Sequence, residues 1–181
     1  MITNKFEYPE LNRINNELGR FYLDNKDNQI PSVTTVLDNM SDKKASIDSW
    51  RFRVGNEEAD RVMKKATDIG SMVHLALENY LHNEEKDIFT DDTNGSIAKK
   101  MYQKFINDVV GEITEVYGLE VNLFLENLYA GTADCVGTIN GVESIIDFKT
   151  ARRIKKKEWI DDYFLQGLSL IHISEPTRRP I

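Results

Sequence analysis

Asn140-Gly141 lies between two runs in which apolar and polar residues alternate, and this dipeptide constrains the fold more than any other feature of the chain. A two-residue hairpin of type I′ needs positive φ at both central positions, which Asn and Gly tolerate best. With Asn140 and Gly141 as the loop, Ile139 faces Val142, Val136 faces Ile145 and Asp134 faces Asp147. Opposed residues of an antiparallel pair have Cβ atoms about 4.5–5.5 Å apart, and like charges so placed repel unless something neutralises them. A divalent cation does so: magnesium takes oxygen ligands at about 2.0–2.1 Å, so one ion bridges two carboxylates at this separation. Lys149 follows Asp147 by two residues, hence on the same strand face. Its ammonium is placed to orient an attacking water or to stabilise charge developing on a phosphate. Asp-x-Lys also occurs at Asp24/Lys26 and Asp42/Lys44, but only the copy at Asp147 sits in an apolar strand, Ile145-Ile146-Asp147-Phe148-Lys149. A carboxylate there needs a reason to be present.

The rest of the chain supplies a scaffold. Arg20–Leu23 is a short apolar piece and Asp24–Gln29 a polar turn, and in Ile30–Leu37 Ser32 caps a short helix unless the β-branched run forms a strand. From Asn56 to His82, Val62, Ala66, Ile69, Val73, Ala76, Leu77 and Tyr80 recur at three- and four-residue steps, which predicts one amphipathic helix, or two broken near Gly70. A second helical pattern covers Ile97–Ile113, and Glu84–Asp92 reads as a solvated loop. From Glu115 the period becomes two, giving strands over Glu115–Glu126, Leu128–Ile139 and Val142–Thr150, then a helix from about Lys156. Helices, a three-strand meander and a final helix indicate an α/β or α+β domain with helices packed on a mixed sheet.

On the long helix His74 and Glu78 are four residues apart, on one face, a spacing that suits two ligands of one metal and equally an ordinary surface pair. The net charge of -7 argues against a protein that coats nucleic acid by bulk electrostatics. A nuclease needs only a local basic strip, and Arg152, Arg153, Lys155, Lys156 and Lys157 provide one beside Lys149. The single cysteine, Cys135, excludes an internal disulfide and a four-thiolate iron–sulfur cluster. No apolar run is long enough to span a membrane, and Met1–Glu10 lacks the features of an export signal, so the expected location is the cytoplasm.

Four segments in order carry a resemblance. Gly70–Glu78, then Gly131-Thr132-Ala133-Asp134, then Ile146-Asp147-Phe148-Lys149-Thr150, then Gln166 resemble the motif series of RecB-type PD-(D/E)XK exonucleases. Pro31–Leu37 and Trp50–Gly55 are similar to the N-terminal segments of a subgroup that includes phage exonucleases and the mitochondrial genome maintenance exonuclease. The resemblance implies a restriction-endonuclease-like fold and a Mg²⁺- or Mn²⁺-dependent DNA exonuclease acting on single strands or strand ends. It implies a setting in phage or bacterial replication, recombination or repair, in the host cytoplasm if phage-encoded. Asp134 and Asp147 are then metal ligands, Lys149 the catalytic lysine, Glu78 an acidic ligand or water-orienting group, His74 a further ligand, and Gln166 the start of a Gln-x-x-x-Tyr motif. The rivals are an endonuclease of the same superfamily and a non-catalytic nucleic-acid-binding protein of the same fold; a binding module has no use for two opposed carboxylates.

The position of the motif's tyrosine is Leu170, inside Leu168–Arg178, which resembles one reading frame of a transposase adapter used in sequencing libraries. The expectation is therefore a truncated nuclease domain over residues 1–167 and a non-native, irregular, poorly packed tail over 168–181, with Pro176 ending any helix that enters it. A sheet lacking its last strand would leave an unpaired edge.

Overall fold

The computed structural model describes residues 2–3, 5–41, 43–126, 128–152, 155–157 and 160–177, with side chains as far as Ser174. Its elements run β1 (Asn12–Asn16), β2 (Gly19–Leu23), β3 (Gln29–Pro31), α1 (Val33–Met40), α2 (Lys43–Val54), α3 (Asn56–Leu81) and α4 (Thr93–Asp108). After a 3-10 turn at Val110–Glu112 follow β4 (Ile113–Leu125), β5 (Tyr129–Ile139), β6 (Val142–Ile146) and α5 (Asp161–Thr177). This is the α+β class that the order of patterns indicated. The strands form two three-stranded antiparallel sheets, β1-β2-β3 and β4-β5-β6. Isolated parallel bridges join Ile2 to Val116 and Ser32 to Ala130.

The larger sheet is the middle of a three-layer sandwich. On one side, Ile69, Val73, Leu77 and Leu81 of α3 and Ala98 of α4 pack on Val116, Cys135, Ile146 and Phe148. On the other, Val33 of α1 and Leu170 and Ile173 of α5 join Phe6, Tyr117, Leu123, Ala133 and Val136. With both faces covered, β5 is buried along most of its length, so the expected alternation is masked there. The small sheet attaches through Tyr22 and Ile30, which bury against Ala130.

Local chemistry explains the elements. The hairpin forms as its dipeptide requires, with Asn140 at φ 50° and Gly141 at φ 79°. The side chain of Ser32 accepts from the Thr35 N–H, so the helical alternative for residues 33–37 holds. Helix α3 is unbroken at Gly70. Helix α4 starts at Thr93, four residues before the expected position, because the carboxylate of Asp92 accepts from the Gly95 N–H and caps it. It ends at Asp108, and Val110–Glu112 instead make the turn into β4, which begins at Ile113.

Three expectations need correction. The last helix begins at Asp161 rather than near Lys156, and the expected strand Val142–Thr150 stops at Ile146. As far as Thr177 the tail is not irregular: α5 runs through Leu168 to Thr177, and Leu170 and Ile173 are buried. The three-residue spacing of Leu170 and Ile173 gives one turn an apolar face, and the sheet surface between β4 and β5 supplies its partner. Pro176 lies in the last described turn, and α5 extends one residue past it, to Thr177.

Candidate active site

The hairpin register holds from Ile139↔Val142 to Cys135↔Ile146, and the ladder then opens. The backbone N–H of Phe148 donates to the Asp134 carboxylate at 2.7 Å. One more ladder bond on this register would have sent that N–H to a main-chain carbonyl of β5; the aspartate side chain takes it instead and ends the strand. Asp134 and Asp147 therefore still neighbour one another, but Asp147 lies just outside β6. Its two oxygens are used separately: one meets the Lys149 ammonium at 2.5 Å, and the other accepts from the Gln166 amide on α5 at 3.3 Å.

On the other side of Asp134 stands a residue that the sequence patterns do not single out. Leu119 pairs with Cys135 and Val121 with Ala133, which sets Glu120 across from Asp134. Three carboxylates thus stand in a row over three chain segments: Glu120 on β4, Asp134 on β5 and Asp147 after β6. Glu120 has φ 48°, a left-handed conformation that costs a non-glycine residue free energy and that occurs preferentially at functional sites. The available signal was an acid inside the apolar strand Val116–Leu125, the same signal that marked Asp147.

Helix α3 brings His74 to this row, with Nδ1 3.5 Å from an Asp134 oxygen. The imidazole ring also stands edge-on to buried Phe148, with centroids 6.0 Å apart, and Phe148 in turn packs on Phe105 of α4. Ligand atoms of His74, Glu120 and Asp134 all lie within 4.8 Å of one another, the arrangement among the described residues best suited to a metal ion. Neither Glu78, one turn along α3, nor Asp147 is in that group, although the charge of Glu78 reaches Glu120 and that of Asp147 reaches Asp134. Burial is the main cause that pushes the Asp134 carboxyl above the usual carboxylate range, with Asp147 adding to it and His74 and the Phe148 N–H opposing it. The Glu120 carboxyl is also raised, by partial desolvation and then by Asp134 and Glu78, even though the residue keeps contact with solvent. Two neighbouring acids that both resist ionisation form a site that gains from a cation. Cys135, buried next to Asp134, has its thiol pushed up to about 12 by burial and offers no thiolate.

Of the basic strip, Arg152, Lys155, Lys156 and Lys157 are exposed on the connection between β6 and α5, and Arg153 lies outside the described residues. Lys155 hydrogen-bonds the Tyr163 hydroxyl, and the Tyr163 ring lies under both Lys155 and Lys149, with Nζ to centroid distances of 4.6 and 5.4 Å. Tyr163 thus links the strip to Lys149.

No family model matches the chain. Over 151 residues it is 28% identical to mitochondrial genome maintenance exonuclease 1 of Homo sapiens, covering 80% of this chain and 42% of that protein. Over 136 residues it is 30% identical to mitochondrial genome maintenance exonuclease 1 of Mus musculus, covering 71% of this chain and 39% of that protein. The chain therefore spans about two fifths of the length of these relatives, and its similarity to proteins named as exonucleases is distant.

Proposed function

We propose that the chain is a metal-dependent deoxyribonuclease with a PD-(D/E)XK active site, acting as an exonuclease on single strands or DNA ends. The observation that carries this reading is the row Glu120, Asp134 and Asp147, flanked by His74 and Lys149. The donor set fits the ion: carboxylate oxygens with one imidazole suit Mg²⁺ or Mn²⁺, and Asp134 is largely buried and preorganised by the Phe148 N–H. His74, Glu120 and Asp134 would hold the ion, with Asp147 and Glu78 at the margin. Bound there, the ion supplies Lewis-acid stabilisation to a phosphodiester undergoing in-line hydrolysis.

The remaining steps belong to the protein. Asp147, itself held by Gln166, fixes the position of Lys149, so its ammonium faces the charge that develops on the phosphate. The Tyr163 ring supports the same ammonium and extends the positive surface toward Lys155. The test is incubation of the protein with end-labelled linear and with circular single-stranded DNA, with and without Mg²⁺. Mg²⁺-dependent loss of linear DNA alone supports an exonuclease. Equal cutting of circles identifies an endonuclease, and no cutting of either rejects the reading.

Two further outcomes follow from the geometry. Glu120→Gln removes one charge from the three-ligand group and should weaken Mn²⁺ binding, followed by electron paramagnetic resonance without DNA, by about tenfold to a hundredfold. Unchanged affinity would take Glu120 out of the metal site. Replacing Arg152, Lys156 and Lys157 together by Ala should lower the slope of log affinity against log salt for single-stranded DNA by about 0.7 for each phosphate that is no longer neutralised. A slope equal to the parent's would make the strip an ordinary solvated surface.

A further inference from the structure

Glu120 also lines a groove of about 460 Å³ between residues 8–12, the turn at Asn25 and β4. Its wall holds the ring of Tyr8, the amides of Asn12, Asn25 and Asn122, and the carboxylates of Glu10 and Glu120, and no lysine or arginine among the described residues. The Glu10 carboxylate disfavours a phosphate at its own part of the groove, whereas the Glu120 end adjoins the residues that would hold the ion. Amides and an aromatic ring suit a neutral base and its sugar, and a groove at the small end of the ligand-pocket range, about 300–1,000 Å³, suits one nucleoside.

Two features of the sequence shape this groove. A Cβ on Gly118 would lie 2.8 Å from Tyr8 Cε2, so glycine there allows the tyrosine ring to rest on β4. Asn122 is fixed at both ends of its amide, donating to the Leu11 carbonyl at 3.4 Å and accepting from the Thr132 hydroxyl at 3.2 Å, which in turn meets the Tyr22 hydroxyl at 2.8 Å. That series of bonds ties the small sheet to β4 and β5 and makes the floor of the groove rigid. Asn12 and Asn25 remain exposed at its rim.

We propose that this groove receives the terminal deoxynucleoside of the strand. Tyr8 stacks on the base, Asn12 and Asn25 bond its edge, and the attached phosphate lies at the Glu120 end, beside His74 and Asp134. The proposal rests on the nuclease reading for the identity of the ligand, and it gives the site a means of selecting chain ends.

Calorimetric titration of the protein with deoxythymidine 5′- and 3′-monophosphates in the presence of Mn²⁺ tests it. At least one of the two should bind, and Tyr8→Ala should weaken that binding about tenfold or more, the loss expected for one base–aromatic stack. Asn25→Ala, in an exposed turn where folding is not at risk, should weaken it about threefold to tenfold, with Mn²⁺ affinity unchanged in both variants. Binding by both variants equal to the parent's overturns the proposal. So does the absence of monophosphate binding, whether or not the parent cleaves linear DNA. If the parent cleaves no DNA but binds a monophosphate through Tyr8 and Asn25, the groove stands and only the catalytic reading falls.

Discussion

Asp147→Asn is expected to lower kcat for Mg²⁺-dependent DNA cleavage by at least about 10²–10³, the usual result of removing one preorganised electrostatic group from a reacting centre. The side chain has two partners, the Lys149 ammonium at 2.5 Å and the Gln166 amide at 3.3 Å, and asparagine keeps the shape while losing the charge that holds Lys149. Stability should hardly change. An ion pair that keeps partial contact with solvent is worth about 0–1 kcal/mol, and the same substitution removes one of the charges that oppose ionisation of Asp134. The variant should therefore melt with the parent, or slightly above it in metal-free buffer, and still bind single-stranded DNA. Cleavage at the parent's rate would remove Asp147 from the chemistry. A large drop in melting temperature would instead assign Asp147 a structural role.

The neighbourhood of Asp134 and Asp147 was legible only as far as the hairpin register set by one dipeptide reaches, to Cys135↔Ile146, because the ladder opens one pair before the two carboxylates oppose. The long helix was legible because its apolar face repeats over many turns. Glu120 was not, because β4 reaches β5 through Glu126–Leu128, which carries no two-residue turn signal, so no arithmetic placed Glu120 opposite Asp134. The small sheet was missed for a related reason. Asn12–Asn16 reads Asn-Arg-Ile-Asn-Asn, has little apolar alternation, and is a strand chiefly because β2 pairs with it. Helix α2 buries none of its residues and so shows no periodic face to read. The expected end of β6 was wrong by four residues because a side chain, Asp134, takes a backbone donor, and patterns of apolar residues do not register such a substitution.

The segment after Gly167 separates composition from packing most sharply, and single substitutions within it should differ by several kcal/mol. Leu170 and Ile173 are 1% and 0% exposed, in one cluster with Val33, Leu123 and Val136, whereas Leu168 and Ile171 on the opposite face of α5 are 61% and 42% exposed. Leu170→Ala and Ile173→Ala should each cost about 2–5 kcal/mol in urea unfolding, the range for truncating a buried aliphatic side chain. Leu168→Ala and Ile171→Ala should stay within about 0.5 kcal/mol, as for surface positions. Activity should follow the same division. The helix that buries Leu170 also carries Gln166 and Tyr163 toward Asp147 and Lys149. Removing residues 168–181 should thus expose the apolar side of β4 and β5 and free the support of the lysine at once, giving a protein that aggregates and does not cleave. If Leu170→Ala and Ile173→Ala unfold at the parent's midpoint, α5 does not cover the sheet, and the tail is the unpacked appendage that its sequence suggested. If they are costly while the exposed pair is silent, this segment is part of the folded core, whatever its origin.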